Sequence, residues 1–106
     1  MIFTTVVISA LNIVMNVYEA DSTGTCNIYF KVNEYETVNS RNIGTVTLCG
    51  RHISGGIPCL VREFVNIKTN KDYICDMNQN MIYDKHHYWL VVDKTGDKSP
   101  EIRFRG

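Results

Sequence analysis

The cysteine and histidine side chains are the first candidates for chemistry in this sequence. Cys49 and His52 lie three residues apart in the stretch CGRH, and Cys59 and Cys75 follow. These residue types supply the sulfur and nitrogen ligands that zinc takes, but no paired C-x-x-C spacing is present, so we predict no metal and no cofactor. A Cys49 nucleophile with His52 as its base is also disfavoured, because no third, orienting group is implied.

A second cluster is HHYW with Lys85 before it, which offers an acid, a base and a cation for an RNase-like cleavage. In a strand, however, alternate side chains point to opposite faces, so His86 and His87 diverge. We therefore predict no catalytic residues and a protein that is not an enzyme. A small secreted nuclease using Lys85, His86 and His87 is the alternative, and a cavity holding two histidines close to one substrate atom would favour it.

The first 20 residues, here called the lead, bear on whether the protein is secreted. No charged side chain occurs from Ile2 to Val17, and the apolar stretch is shorter than the roughly 20 residues of a membrane-spanning helix. We predict that residues 1–20 are a secretory signal peptide that packs poorly on the rest, and that residues 21–106 are a single domain. A cut after Ala20 would put Tyr18 where a small residue is preferred, whereas a cut after Ser22 satisfies that preference. The alternative is a buried N-terminal strand or helix.

If the lead is removed, all four cysteines, Cys26, Cys49, Cys59 and Cys75, remain. An even number in a small secreted domain is typical of a disulfide framework, and four cysteines allow three connectivities that the sequence does not distinguish. We expect Cys49 to pair with Cys59 around the Gly-rich loop, and Cys26 to pair with Cys75. The longer closure is expected to stabilise the fold by about 3–4 kcal/mol.

Hydrophobic periodicity after the lead is mostly two, which indicates strands. Apolar and polar residues alternate in TCNIYFKVN, NIGTVTLCG, PCLVREFVNI, KDYICD, HHYWLVVD and EIRFR. Turn-forming residues separate these runs, and no helical segment or repeat is evident. The pattern predicts an all-β fold, a small disulfide-stabilised β-sandwich of about six antiparallel strands in two sheets.

Charge argues against two classes of partner. The chain has 11 basic and 11 acidic residues, so no net field draws it to nucleic acid or to a membrane. Tyr29, Lys31, Arg103 and Arg105 would be needed together for a basic, aromatic nucleic-acid surface. Because acidic residues are spread through the same small domain, we predict an ordinary solvated face instead.

Strand edges are the expected binding surface. We expect CNIYFKV and YWLVV to be central strands, and IGTVTLC and CLVREFV to be edges. Val46, Arg62 and Glu63 are the predicted partner-binding residues, since charges on an edge prevent self-pairing and give a partner something to recognise.

The apolar lead MIFTTVVISAL, the cysteine in TCNIYFKV and the later cysteine in YIC resemble the layout of the MAX effectors, the Magnaporthe avirulence and ToxB-like secreted fungal proteins. The resemblance covers residues 21–106. Cys49, Cys59 and the long stretch 76–85 depart from the family pattern.

The resemblance implies six antiparallel strands in two three-stranded sheets joined by a disulfide. It also implies a non-enzymatic virulence protein that is secreted, enters the cytoplasm of plant host cells and binds host proteins, including small metal-binding-like domains of immune receptors. We also expect a monomer. A viral or parasite-secreted immune modulator with the same sandwich is a further alternative.

Overall fold

The computed structural model describes residues 11–17, 25–35, 37–78 and 85–103. Strands and connecting turns make up these residues, and no helix among them is long and apolar enough to cross a membrane. The strands are β1 (Leu11–Val17), β2 (Thr25–Glu34), β3 (Asn42–His52), β4 (Cys59–Lys68), β5 (Asp72–Asn78), β6 (His86–Val92) and β7 (Ile102–Arg103). The all-β prediction is confirmed, and a strand lies in each of the predicted runs.

Two antiparallel sheets contain these strands, in the orders β1-β2-β5 and β4-β3-β6-β7. Lettered in chain order as A, B, C, C′, E, F and G, they give the sheets ABE and C′CFG. This is the arrangement of an immunoglobulin-like sandwich without strand D. The sheets thus have three and four strands, where the resemblance implied three and three.

The hydrophobic core lies between the two sheets and follows the predicted alternation. In β2, Ile28, Phe30 and Val32 are at most 3% exposed. The rings of Phe30 and Phe64 join the sheets, with centroids 5.3 Å apart. The buried cluster consists of Ile13, Met15, Ile28, Phe30, Val32, Ile43, Val46, Leu48, Phe64, Ile67, Tyr88, Leu90 and Val92.

Strand β1 lies inside the predicted signal peptide. It pairs with β2 along its whole length, and Ile13 and Met15 are 2% and 8% exposed in the core. The expectation of poor packing is therefore not met by Leu11–Val17, which form the buried strand that was the alternative. Residues 1–10 and 18–20 of the lead lie outside the described residues.

Strand β4 departs from simple alternation. Simple alternation would place Val65 and Ile67 on one face, yet Val65 is 63% exposed and Ile67 is 3% exposed. The pairing with β3 shifts register here, and Asn66 adopts a positive φ of 55°. A bulge adds an unpaired residue and so moves the side chains beyond it to the other face.

The predicted Cys49–Cys59 disulfide is not present, because both thiols are free. Register explains this, since Cys49 lies opposite Leu60 and Cys59 lies opposite Gly50. Neighbouring pair positions place side chains on opposite faces of the sheet. No disulfide is found in the described part of the chain, and Cys26 lies opposite Met77 while Cys75 lies opposite Ile28, so the Cys26–Cys75 pairing stays a prediction.

Candidate functional site: a histidine-lined cavity and an edge strand

A cavity of about 470 Å³ lies at one end of the four-stranded sheet. The ends of β3, β4 and β6 border it together with the loop that joins β3 to β4. Apolar groups of Leu60, Val61 and Tyr88 line it, and His52 and His86 add polar groups. Cavities of this size with a few converging polar groups are the usual form of small-ligand sites.

Register brings the two histidines together. In the β3–β6 pairing, Leu48 lies opposite Leu90, then Gly50 opposite Tyr88, then His52 opposite His86. The first two pairs are buried in the core, so the histidine pair continues the inward face toward the open end. The ring centroids are 5.2 Å apart, and the ring planes meet at 84°.

The ring of His52 is oriented by its own turn. Ser54 donates its backbone N–H to Nδ1 of His52 at 3.1 Å, and its Oγ lies 2.7 Å from the same nitrogen. Nδ1 is therefore an acceptor within the turn, and the neutral ring carries its proton on Nε2. The sequence places His52 three residues from Cys49 and carries no signal that His86 is its neighbour.

A glycine shapes the floor of the cavity. Tyr88 is only 1% exposed and lies against the backbone of Gly50. A Cβ atom at Gly50 would lie 2.7 Å from Cε1 of Tyr88, which is closer than real Cβ contacts. The absence of a side chain therefore allows the tyrosine ring to close the base of the cavity.

His87 lies on the opposite face from His86, as predicted. Its Nδ1 is 3.2 Å from Glu101, which also accepts a hydrogen bond from Arg51 at 2.8 Å. These groups are more than a third exposed, so each ion pair contributes about 0–1 kcal/mol. Lys85, His86 and His87, the set considered for the alternative nuclease, are therefore not assembled on one face of β6.

Trp89 shares this outer face and is 7% exposed, apart from the main core cluster. The guanidinium carbon of Arg51 lies 5.9 Å from the centroid of its ring. A second cavity of about 290 Å³ adjoins it, bordered by Pro58 and Lys98 among others. Trp89 is thus packed under surface groups and is not an exposed ligand platform.

Cys49 also belongs to the outer face, opposite Trp89. Burial raises the pKa of the Cys49 thiol, and Asp93 adds to the increase while Lys98 opposes it. A raised pKa makes a poor nucleophile, and His52 lies on the other face. Within the described ranges, no three His, Cys, Asp or Glu side chains are grouped to hold a metal ion.

The predicted partner-binding residues fall in different environments. Val46 is fully buried on β3, which lies between β4 and β6, so β3 is a central strand and Val46 is not accessible to a partner. β4 is an edge, as predicted, and carries Arg62 and the exposed Glu63. The guanidinium carbon of Arg62 lies 5.0 Å from the centroid of the Phe64 ring.

The residues of the considered nucleic-acid surface are separated. Tyr29 and Lys31 alternate with core residues of β2, on the outer face of the three-stranded sheet. Arg103 lies opposite His87, on the outer face of the other sheet. Arg105 lies outside the described residues.

No protein-family model, curated protein or solved structure matches this chain. The fold and the site together define a small immunoglobulin-like β-sandwich with an edge strand and a histidine-lined cavity. Because such sandwiches host many unrelated functions, function has to be argued from these surfaces.

Proposed function

We propose that the protein is a non-enzymatic β-sandwich that binds a partner protein through the edge strand β4. The observation that supports this most directly is the apolar exposure of that edge, where Leu60 is 62% exposed and Val65 is 63% exposed. An edge strand offers backbone N–H and C=O groups with which an extended partner segment pairs, and neighbouring side chains supply specificity.

β4 is the longest of the edges in the described part of the chain. It has ten residues, whereas β1 and β5 have seven each and β7 has two. Register shifts on both sides leave a regular central segment in which Arg62, Glu63 and Phe64 pair with β3. Bulges hinder edge-to-edge association between copies, so this segment is where a partner is expected to pair, and the protein is expected to be a monomer.

The resemblance to MAX effectors extends this proposal. The partner is then a host protein, with a small metal-binding-like domain of an immune receptor as one candidate, and the protein is secreted and delivered to the host cytoplasm. Removal of residues 1–20 would also remove β1 and leave six strands, the number in that family, but in sheets of two and four. A Cys26–Cys75 disulfide belongs to the same proposal.

The test is capture of a partner from plant extract by the full chain, followed by affinity measurements with the captured protein. We expect Arg62→Glu and Glu63→Lys each to weaken binding by roughly tenfold or more, equal to about 1.4 kcal/mol. Lys94→Glu is the matched control, because it changes charge at an exposed site away from β4. Equal losses in all three variants would show a general charge effect and contradict binding at the edge.

A second candidate function, acid–base hydrolysis, is favoured by one observation: the cavity holds two histidines with ring centroids 5.2 Å apart. The residues would then be His52 and His86, and not the Lys85, His86 and His87 that the sequence suggested for the alternative nuclease. An assay of RNA cleavage separates the two functions. Activity that is lost in both His52→Ala and His86→Ala but kept in His87→Ala would establish the enzyme and displace the binding proposal.

A further inference from the structure

We propose that His52 and His86 form a two-histidine binding site for a divalent transition-metal ion, with Cu²⁺ as the tightest ligand. Imidazole is a preferred ligand of Cu²⁺, Ni²⁺ and Zn²⁺, and Cu²⁺ binds most tightly to a given nitrogen site. The site goes beyond partner binding at β4 and does not depend on it, because metal binding is measured without a partner protein.

The geometry of the strand pair carries the proposal. His52 and His86 are directly opposite in the antiparallel register, where Cβ atoms are about 4.5–5.5 Å apart. Their ring centroids are 5.2 Å apart in the structure. An ion shared by the two rings would bind one nitrogen of each at the usual distance of about 2.0–2.1 Å.

The turn after β3 provides the supporting contact. A histidine that binds a metal through Nε2 keeps its proton on Nδ1, and that N–H usually donates to a nearby acceptor. In the structure Nδ1 of His52 accepts the Ser54 N–H at 3.1 Å, so an ion that binds Nε2 moves the ring proton to Nδ1, which then donates to Ser54 Oγ, 2.7 Å away, in place of that bond. Ser54 is therefore a positioning residue, and it fixes the plane of the ring.

The groups around His52 and His86 favour one class of metal ion and leave some of its coordination positions to water. No carboxylate is grouped with the two imidazoles in the described part of the chain, and imidazole ligands suit borderline ions and not Ca²⁺ or Mg²⁺, which take oxygen ligands. The cavity of about 470 Å³ has room for an ion with bound water. Arg51, whose charge would repel a cation, also borders the cavity, but its guanidinium is paired with Glu101 at 2.8 Å.

Cys59 borders the same cavity, but it is not assigned as a ligand. Its Sγ is 3.8 Å from the carbonyl oxygen of Ile57, and no third ligand is grouped with the histidines in the described residues. Cys59→Ser therefore serves as a separate arm of the test. A thiolate–copper bond would also give a spectrum different from that of nitrogen ligands.

The experiment is calorimetric titration of the full chain with Cu²⁺ and with Zn²⁺, joined to electron paramagnetic resonance of the copper form. The chain has three histidines, so His87→Ala is a matched control on the neighbouring position of the same strand. We expect one Cu²⁺ per chain with nitrogen hyperfine splitting. His52→Ala and His86→Ala should each lower affinity at least tenfold, or about 1.4 kcal/mol, while His87→Ala changes it less than about twofold.

Three results would contradict the proposed metal site. These are absence of stoichiometric Cu²⁺ binding, an equal loss in His87→Ala, or a loss in Cys59→Ser with the histidine variants unaffected. Ser54→Ala is expected to weaken binding by a smaller factor and to broaden the copper spectrum. Unfolding curves of each variant check that the fold is kept. We expect this because His52 and Ser54 are exposed and outside the core.

Discussion

At the scale of the residue, the contact of Gly50 with Tyr88 fixes the shape of the cavity. A Cβ at position 50 would lie 2.7 Å and 2.9 Å from two ring carbons of Tyr88. Gly50→Ala is therefore expected to lower the free energy of unfolding by about 1–3 kcal/mol, the usual cost of overpacking. Urea denaturation of the variant and the unchanged chain measures this difference in the free energy of unfolding. The same substitution in a Tyr88→Ala background should cost less, and an equal cost in both backgrounds would contradict the contact.

The two free thiols, Cys49 on β3 and Cys59 on β4, differ in exposure, and this difference predicts the order in which they react. Burial raises the pKa of Cys49, so less of its reactive thiolate is present near neutral pH, whereas Cys59 is exposed. In the folded chain, iodoacetamide should label Cys59 before Cys49, and labelling of Cys49 should rise only at higher pH. Peptide mass spectrometry after timed labelling checks the order. Faster labelling of Cys49 would contradict the assigned burial.

At the scale of the element, alternation was enough to predict the strands and the inward residues of β2. It did not predict neighbours: β3 was expected at an edge but lies between β4 and β6. The His52–His86 pair could not be predicted for the same reason, because it depends on which strands are neighbours and on the register of strands far apart in the chain. The bulge at Asn66 could not be predicted from alternation, since a positive φ at a residue other than glycine leaves no hydrophobic signal.

The turn between β4 and β5 connects the two sheets, and Asn70 stabilises it. Its φ is 56°, its Oδ1 accepts the Glu34 N–H at 2.9 Å, and its Nδ2 donates to the Thr37 carbonyl at 2.9 Å. Asn70→Ala removes these bonds and places alanine in the left-handed region, so we expect a loss of about 2–4 kcal/mol. Asn70→Gly removes the same bonds without the backbone strain and should cost about 1–2 kcal/mol less. Thermal unfolding of both variants compares them, and equal losses would show that the backbone conformation does not matter.

At the scale of the whole molecule, the sandwich has to be stable with few cross-links. Among the described thiols, Cys49 and Cys59 are free, so they form no disulfide that supports the core. The three-stranded sheet instead has β1 as one edge, with Ile13 and Met15 among the buried residues that join the sheets. The lead was interpreted as a signal peptide because its composition is apolar and uncharged. A buried edge strand needs the same composition, and composition alone does not separate the two.

Substitutions in β1 decide whether this strand belongs to the functional protein. In the 106-residue chain, Ile13→Ala should lower the free energy of unfolding by about 2–5 kcal/mol, because it opens a cavity at a site that is 2% exposed. Val14→Ala is the matched control, since Val14 is 42% exposed and should change stability by less than about 0.5 kcal/mol. Equal stability of the two variants in this chain would contradict the packing of β1. The same comparison on the product exported by cells, with its intact mass, tests the signal peptide: if residues 1–20 are removed, Met1 is absent from the mass and both substitutions leave the stability unchanged.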